Sequence, residues 1–279
     1  MIGVRTHTVV ALEALERRIR SYGDRAIVAF SGGVDSSVVL AVAARALSTR
    51  DVVAVTAISP SYPAGELETA ARVAEELGVE HRTVTTHEVE REAYARNDAL
   101  RCFHCKTELY AVLGRIAAEA RAARAVVLSG ANADDLADVR PGLRAGERAG
   151  VRNPLVDERV GKGTVRAIAR ALGLRVADKP ALACLSSRVQ LGLRITPELL
   201  ARIDRAERAV RALGFDLVRV RHRGDRATVE VPAHELDRLR SHPDLARTVA
   251  TIRNLGWPDV TVDPRGYRQG GADAPERSA

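Results

Sequence analysis

Ser31-Gly32-Gly33-Val34-Asp35-Ser36-Ser37 follows a short apolar run, Ala26 to Phe30, and precedes a segment of helical periodicity. A buried strand ending in Ser-Gly-Gly makes a tight turn whose backbone N–H groups converge on phosphate oxygens. A Cβ at either glycine would block that approach. The following helix adds the positive end of its dipole and the hydroxyls of Ser36 and Ser37. Asp35 is suited to hold Mg²⁺ against a pyrophosphate rather than the phosphate itself. No Gly-Lys-Ser/Thr stands at the spacing of a Walker A loop. The bland alternative, a glycine turn with Asp or Ser as helix cap, explains fewer of these residues at once.

Three cysteines form the second group with chemistry. Cys102-Phe103-His104-Cys105 is a CxxC, and Cys184 stands alone. An odd count argues against a disulfide framework in a reducing compartment. A metal site, a redox pair, or a nucleophile with bystanders remain open. Three thiolates, if they converge, leave one metal position open, which suits an iron–sulfur cluster with a labile iron. Zinc with His104 as fourth ligand and inert buried thiols are the alternatives. Lys179 and Arg188 flank Cys184; they favour its thiolate form or neutralise a phosphate.

Composition points to the same places. Lys and Arg total 43, yet Lys106, Lys162 and Lys179 are the only lysines. Where bias has purged a residue type, survivors mark positions that need a compact ammonium. Arg188, Arg219 and Arg221 suit a substrate phosphate, a bidentate task for guanidinium, or are surface charges. Asp134 and Asp135 either hold Mg²⁺ or cap a helix. His104, His222 and His234 form no arrangement with Ser and Asp that would make a nucleophilic triad.

These residues need elements to position them. A short apolar run predicts a strand at Ala26–Phe30, and further strands are read at Val52–Ile58, His81–Val84 and Ala125–Leu128. Period-3.6 patterns predict helices at His7–Tyr22, Asp35–Leu47, Gly65–Leu77, Lys106–Ala123 and Gly163–Leu172. Alternating strands and helices imply an α/β fold, a doubly wound parallel sheet, with ligands beyond the C-terminal strand ends. The pattern changes near Gly192. A helix from Thr196-Pro197 to Leu213, strands at Phe215–His222 and Ala227–Val231 around Gly224-Asp225, a helix at Ala233–Leu239 and a strand at Asp259–Val262 predict a smaller α+β domain of ferredoxin-like type. The expected boundaries are 1–192, 193–268, and a disordered tail at 269–279.

The chain has 279 residues and a formal net charge of +7. No apolar run approaches the ~20 residues of a membrane span, and the N-terminus does not read as a signal peptide, so a cytoplasmic protein is expected. The charge is scattered Arg with few aromatics for stacking, which disfavours nucleic acid as a partner.

The Ser31–Ser37 loop resembles that of the N-type ATP pyrophosphatases, the PP-loop superfamily. Its members activate a carbonyl or carboxylate oxygen as an adenylate and release pyrophosphate. A closer resemblance, over nearly the whole chain, is to the LarE-type ATP-dependent sulfur transferases. It is carried by the loop, Ser59-Pro60-Ser61, Arg101–Lys106, Gly130–Asp135, Arg140-Pro141-Gly142, Lys179–Arg188, Val218–His222 and Gly266-Tyr267-Arg268. Lys106, Lys179 and Ser187 lie within these blocks, and Glu207 and Glu230 resemble acidic site residues of the family.

The resemblance implies a pyridinium dicarboxylate mononucleotide as substrate, on the route to the nickel-pincer nucleotide of lactate racemase. Mg·ATP adenylates its carboxylate, and a sulfur at Cys184 displaces AMP. Some family members sacrifice the cysteine sulfur. Others hold a [4Fe-4S] cluster on three cysteines, which Cys102, Cys105 and Cys184 match, with sulfide or another sulfur donor as source. A homo-oligomer, a hexamer, is implied as well. Asn97-Asp98-Ala99-Leu100 departs from the usual Pro-rich lead-in to the CxxC, and Val176-Ala177 from Thr-Trp. The rivals are a tRNA 2-thiolation enzyme, which would need a clustered basic face, and a non-enzymatic nucleotide-binding or zinc-stabilised protein.

Overall fold

The computed structural model describes residues 2–119, 124–136, 141–180 and 183–268. The expected tail from 269, and Arg140, Ala181 and Leu182 of the motif blocks, lie outside the described residues. The chain divides into two units: Met1–Ser59, Ala64–Glu88 and Cys102–Leu182 in the first, and Pro60–Pro63, Val89–Arg101 and Ala183–Ala279 in the second.

The first unit is built on four parallel strands, β1 (Arg25–Ala29), β2 (Val52–Ile58), β3 (Glu80–Thr85) and β4 (Ala125–Leu128), in the order β3-β2-β1-β4. The strands lie where the sequence reading places them, and the alternation of β1, β2 and β4 feeds two cores. Ala26, Val28, Val52 and Ala54 pack with the helices Ile2–Tyr22, Val34–Leu47 and Lys162–Ala171. Ile27, Val53, Val55 and Val127 face the other way, onto Leu109, Tyr110 and Leu113 of the Arg101–Glu119 helix. Burial on both faces is why these strands read as unbroken apolar runs. β3 is the edge and carries exposed Glu80 and Arg82, charges that discourage further pairing.

One boundary differs from expectation in a way that matters. The helix predicted from Lys106 begins at Arg101, so the CxxC lies within its first turns. Asp98 makes the earlier start: its Oδ1 accepts from Leu100 N at 2.8 Å and its carbonyl from Arg101 N at 3.0 Å. A side-chain oxygen that satisfies a free N–H at this point initiates a helix.

In the second unit Thr196 caps the Pro197–Arg211 helix, its Oγ1 accepting from Leu199 N at 3.2 Å. β5 (Arg219–Arg223) and β6 (Arg226–Glu230) pair antiparallel around Gly224, whose φ is +67°, and β7 (Asp259–Val262) joins β6 in parallel. Two helices, Leu236–Arg240 and Leu245–Asn254, stand between β6 and β7 where the sequence reading has one. Pro243 between them removes a backbone donor and restricts the residue before it, so one continuous helix is not available. Among the described residues no helix is long and apolar enough to cross a membrane.

Candidate active site

β1 is flanked by β2 and β4, so its carboxyl end is where the strand order reverses, the usual place for a ligand in such a sheet. The Ser31–Ser37 turn leaves from that end. Gly32 has φ +72°, and a Cβ there would lie 3.0 Å from the Ala70 Cβ. Gly33 caps the Val34–Leu47 helix through backbone conformation alone. Ser36 Oγ accepts from Ser31 N at 3.3 Å and donates to the Gly33 carbonyl at 3.1 Å, which braces the turn. Behind it, Thr56 Oγ1 donates to the Phe30 carbonyl at 2.8 Å and shares a 2.8 Å hydrogen bond with His81 Nε2. Burial holds the His81 imidazole below its ordinary pKa.

The loop after β4 closes on the same helix end. A Cβ on Gly130 would lie 2.7 Å from Ser36 N and 2.9 Å from its Cα, so only glycine permits the approach. Asn132 Nδ2 then donates to Asp35 Oδ1 at 3.2 Å. Asp35 Oδ2 is ion-paired with Lys162 Nζ at the start of the Lys162–Ala171 helix. Asp134 accepts from Lys162 N at 2.8 Å, and Asp135 from Asn132 N at 3.0 Å. The two aspartates thus serve a helix N-terminus and their own loop, while Asp35 points its carboxylate at an ammonium. Lys162 was legible only as one of three lysines; no local pattern ties it to Asp35. Lys179 pairs with Glu66, and Lys106 Nζ lies over the Tyr110 ring, 5.9 Å from its centre.

Cys102 and Cys105, three residues apart on the Arg101–Glu119 helix, lie on neighbouring positions of one face. Cys102 is exposed, Cys105 half-buried, and neither is in a disulfide. Cys184 belongs to the second unit, exposed and free. Among the described residues no three His, Cys, Asp or Glu side chains are gathered to hold a metal.

Around Cys184 the second unit gathers most of its predicted site residues. Arg188, only 1% exposed, spans outward and inward partners. Its Nε and Nη2 donate to Glu207 at 2.8 and 3.1 Å, and its Nη1 to the carbonyls of Ala183 and Cys184 at 2.7 and 2.9 Å. Nη1 also reaches Ser187 Oγ at 3.1 Å. Arg221 donates to Glu230 at 2.9 Å and to the Ser187 carbonyl at 2.8 Å. Arg219 and Arg221 lie over the ring of Tyr267, 5.5 and 6.0 Å from its centre. Burial, with Arg188 nearby, pushes the Arg219 guanidinium down to about 10. Burial alone would raise Glu207, but Arg188, Arg211 and Arg219 together hold its carboxyl below the ordinary value. Glu230 has chiefly Arg221 to offset its burial, and its carboxyl is raised.

Two contributors here escaped sequence reasoning. Asn97, at φ +56° and fully buried, donates to the carbonyls of Gln190 at 2.8 Å and Leu193 at 2.9 Å. Arg101 bonds to Asn97 Oδ1 and donates to the Ser186 carbonyl at 3.1 Å. The sequence signal was the departure from a Pro-rich lead-in: Asn tolerates a left-handed backbone that Pro cannot adopt.

Residues 12–218 match the asparagine synthase family model. The chain is 36% identical to the pyridinium-3,5-bisthiocarboxylic acid mononucleotide synthase of Lactiplantibacillus plantarum, over 88% of this chain and 88% of that protein. It is 41% identical to an uncharacterized Synechocystis protein, over 88% and 91% of the two chains. A third relative, an uncharacterized protein of Methanocaldococcus jannaschii, is 25% identical over 87% and 90%.

Proposed function

From the premise that the chain belongs to the LarE-type ATP-dependent sulfur transferases of the PP-loop ATP pyrophosphatase superfamily, we propose that it converts a carboxylate of a pyridinium-3,5-dicarboxylate mononucleotide to a thiocarboxylate, for the nickel-pincer cofactor of lactate racemase. The observation that carries this is the synthase relative at 36% identity over 88% of both chains. The phosphate turn supports it locally, since its N–H groups and the adjoining helix end stand where ATP phosphates would be received.

The substrate carboxylate oxygen attacks the α-phosphorus of ATP and pyrophosphate leaves. A sulfur nucleophile then attacks the acyl carbon, and AMP leaves with the C–O electron pair. Ser31, Gly32, Gly33, Ser36 and Ser37 receive the phosphates. Asp35 would hold Mg²⁺: a half-buried carboxylate beside the turn is the hard oxygen donor that ion prefers. Bound there, it neutralises charge on the departing pyrophosphate. Arg219 and Arg221 are assigned to the substrate phosphate, Arg219 foremost, whereas Arg188, expected there too, is committed to Glu207 and to the carbonyls of Ala183 and Cys184.

The sulfur is delivered at Cys184. Cys102, Cys105 and Cys184, a thiolate donor set that suits iron, would hold a [4Fe-4S] cluster, and bound there it would supply the sulfur. A homo-oligomer, a hexamer in the family, belongs to the same proposal, and light scattering on the purified chain tests it.

Anaerobic purification followed by iron and sulfide analysis, with mass spectrometry of nucleotide product and protein after turnover, decides among the readings. Expected are a cluster, AMP and pyrophosphate in step with thiocarboxylate, and an intact Cys184. Loss of H₂S from Cys184 in a protein without iron would replace the cluster with sacrifice of the cysteine sulfur.

A further inference from the structure

The segment Ala183–Ser187 carries an exposed thiol, yet its main chain is gripped on every side. It has no strand partner, so its carbonyls must find donors elsewhere. Ser187 N serves the Cys184 carbonyl at 3.0 Å and Val189 N that of Ser186 at 3.2 Å, and guanidinium groups supply the rest. Arg188 takes the carbonyls of Ala183 and Cys184, Arg101 that of Ser186, and Arg221 that of Ser187. Leu185 N donates to the Ser61 carbonyl at 2.8 Å, and Ser186 Oγ shares a 2.6 Å hydrogen bond with Tyr94 OH.

The Arg188 fork would swing if left to itself. Glu207, with no exposed surface, stops it through two carboxylate bonds, and accepts as well from Arg211 at 2.7 Å and Val220 N at 3.1 Å. The carboxylate is thus tied to its own helix, to β5 and to the fork.

We infer that Glu207, acting through Arg188, is a positioning residue for sulfur transfer: it fixes the backbone at Cys184 so that a solvent-accessible sulfur meets the acyl adenylate in one orientation. The inference rests on the assignment of sulfur delivery to Cys184. It deepens that reading by giving Arg188 a task other than phosphate binding. Guanidinium suits the task because one planar group addresses a carboxylate on one edge and two carbonyls on the other. An ammonium cannot do both. Orientation of this kind acts on the rate of the step rather than on ground-state binding.

The test uses the full chain, with Glu207→Gln and Arg188→Lys, and Arg194→Ala as a control on an exposed pair with Glu92. Two readouts are compared: amide hydrogen exchange of peptides covering 183–188 and 31–37, and steady-state kinetics of thiocarboxylate formation beside pyrophosphate exchange. Expected in both site variants is exchange at 183–188 faster by about tenfold, with 31–37 unchanged. The kcat for thiocarboxylate falls about tenfold or more, while pyrophosphate exchange and both KM values stay within about twofold. Arg194→Ala changes none of these.

If Glu207→Gln does not fold, Arg188→Lys decides alone, since it keeps a cation opposite Glu207 and removes only the fork. A raised KM for the nucleotide with unchanged exchange at 183–188 makes Arg188 a phosphate ligand and overturns the inference. So does wild-type kcat in both variants. Failure of the wild type to form thiocarboxylate is a different result: it sinks the reading of the enzyme and is seen before any variant is compared.

Discussion

At the scale of single residues, the two ends of the chemistry are separable. Asp35 is a carboxylate held by Lys162 and Asn132 beside the phosphate turn. Asp35→Asn keeps the shape and removes the charge, so pyrophosphate release is expected to fall about a hundredfold or more, read as AMP formed from ATP. Cys184→Ser replaces the sulfur and leaves a small polar side chain at an exposed position. Pyrophosphate exchange should persist in that variant, with no thiocarboxylate detectable by mass spectrometry. Loss of both activities together would mean that Cys184 acts before acyl transfer. The glycines, serines and Asp35 of the turn were legible in the sequence because their spacing is local. Lys162 was not, since it meets Asp35 across 127 residues.

At the scale of elements, the phosphate turn depends on a second loop that no phosphate motif mentions. Gly130 ends β4 and lets the loop pass within contact of the Ser36 backbone. Gly130→Ala puts a methyl 2.7 Å from a backbone nitrogen, where no side chain can yield. Such overpacking costs about 1–3 kcal/mol, expected as a lowered urea midpoint together with a raised KM for ATP. A change in stability with KM unaltered would mean the loop does not shape the turn. The inner strands β1 and β2 and the short β4 could be read from sequence because burial writes a continuous apolar run, which the exposed edge β3 lacks. The start of the CxxC helix could not, because it is decided by one side chain, Asp98, satisfying a backbone donor.

At the scale of the whole molecule, the chain folds as two units, and residues 60–63 and 89–101 belong with the second. Asn97 shows why: its amide holds the carbonyls of Gln190 and Leu193. Stability should carry a signature in pH. Trp257 Nε1 donates to His222 Nδ1 at 2.9 Å, which requires an unprotonated nitrogen, and burial, helped by Arg202, holds His222 below its ordinary 6.5. His81 is lowered by burial in the same direction. The folded state therefore binds these protons less readily than the unfolded chain. Their contribution is complete above the unfolded value of 6.5 and is lost as pH falls below it. The urea midpoint is expected to drop between about pH 7.5 and about pH 5.5, and the drop to shrink in His222→Gln, whose carbonyl still accepts from Trp257. An equal drop in wild type and variant would remove His222 from the account.

Sequence alone determined the strand, the glycine turn and the helix that follows it, the parallel sheet around them, and the rarity of lysine and cysteine. Each of these is written in local spacing or in the period of burial, which a short stretch of chain carries by itself. Only the tertiary structure decided that arginines expected to meet a phosphate also hold the carbonyls beside Cys184, that Glu207 anchors one of them, and that Lys162 faces Asp35. Those partners lie far apart in the chain, and a charged side chain declares its partner only when packing brings the two within a hydrogen bond of each other.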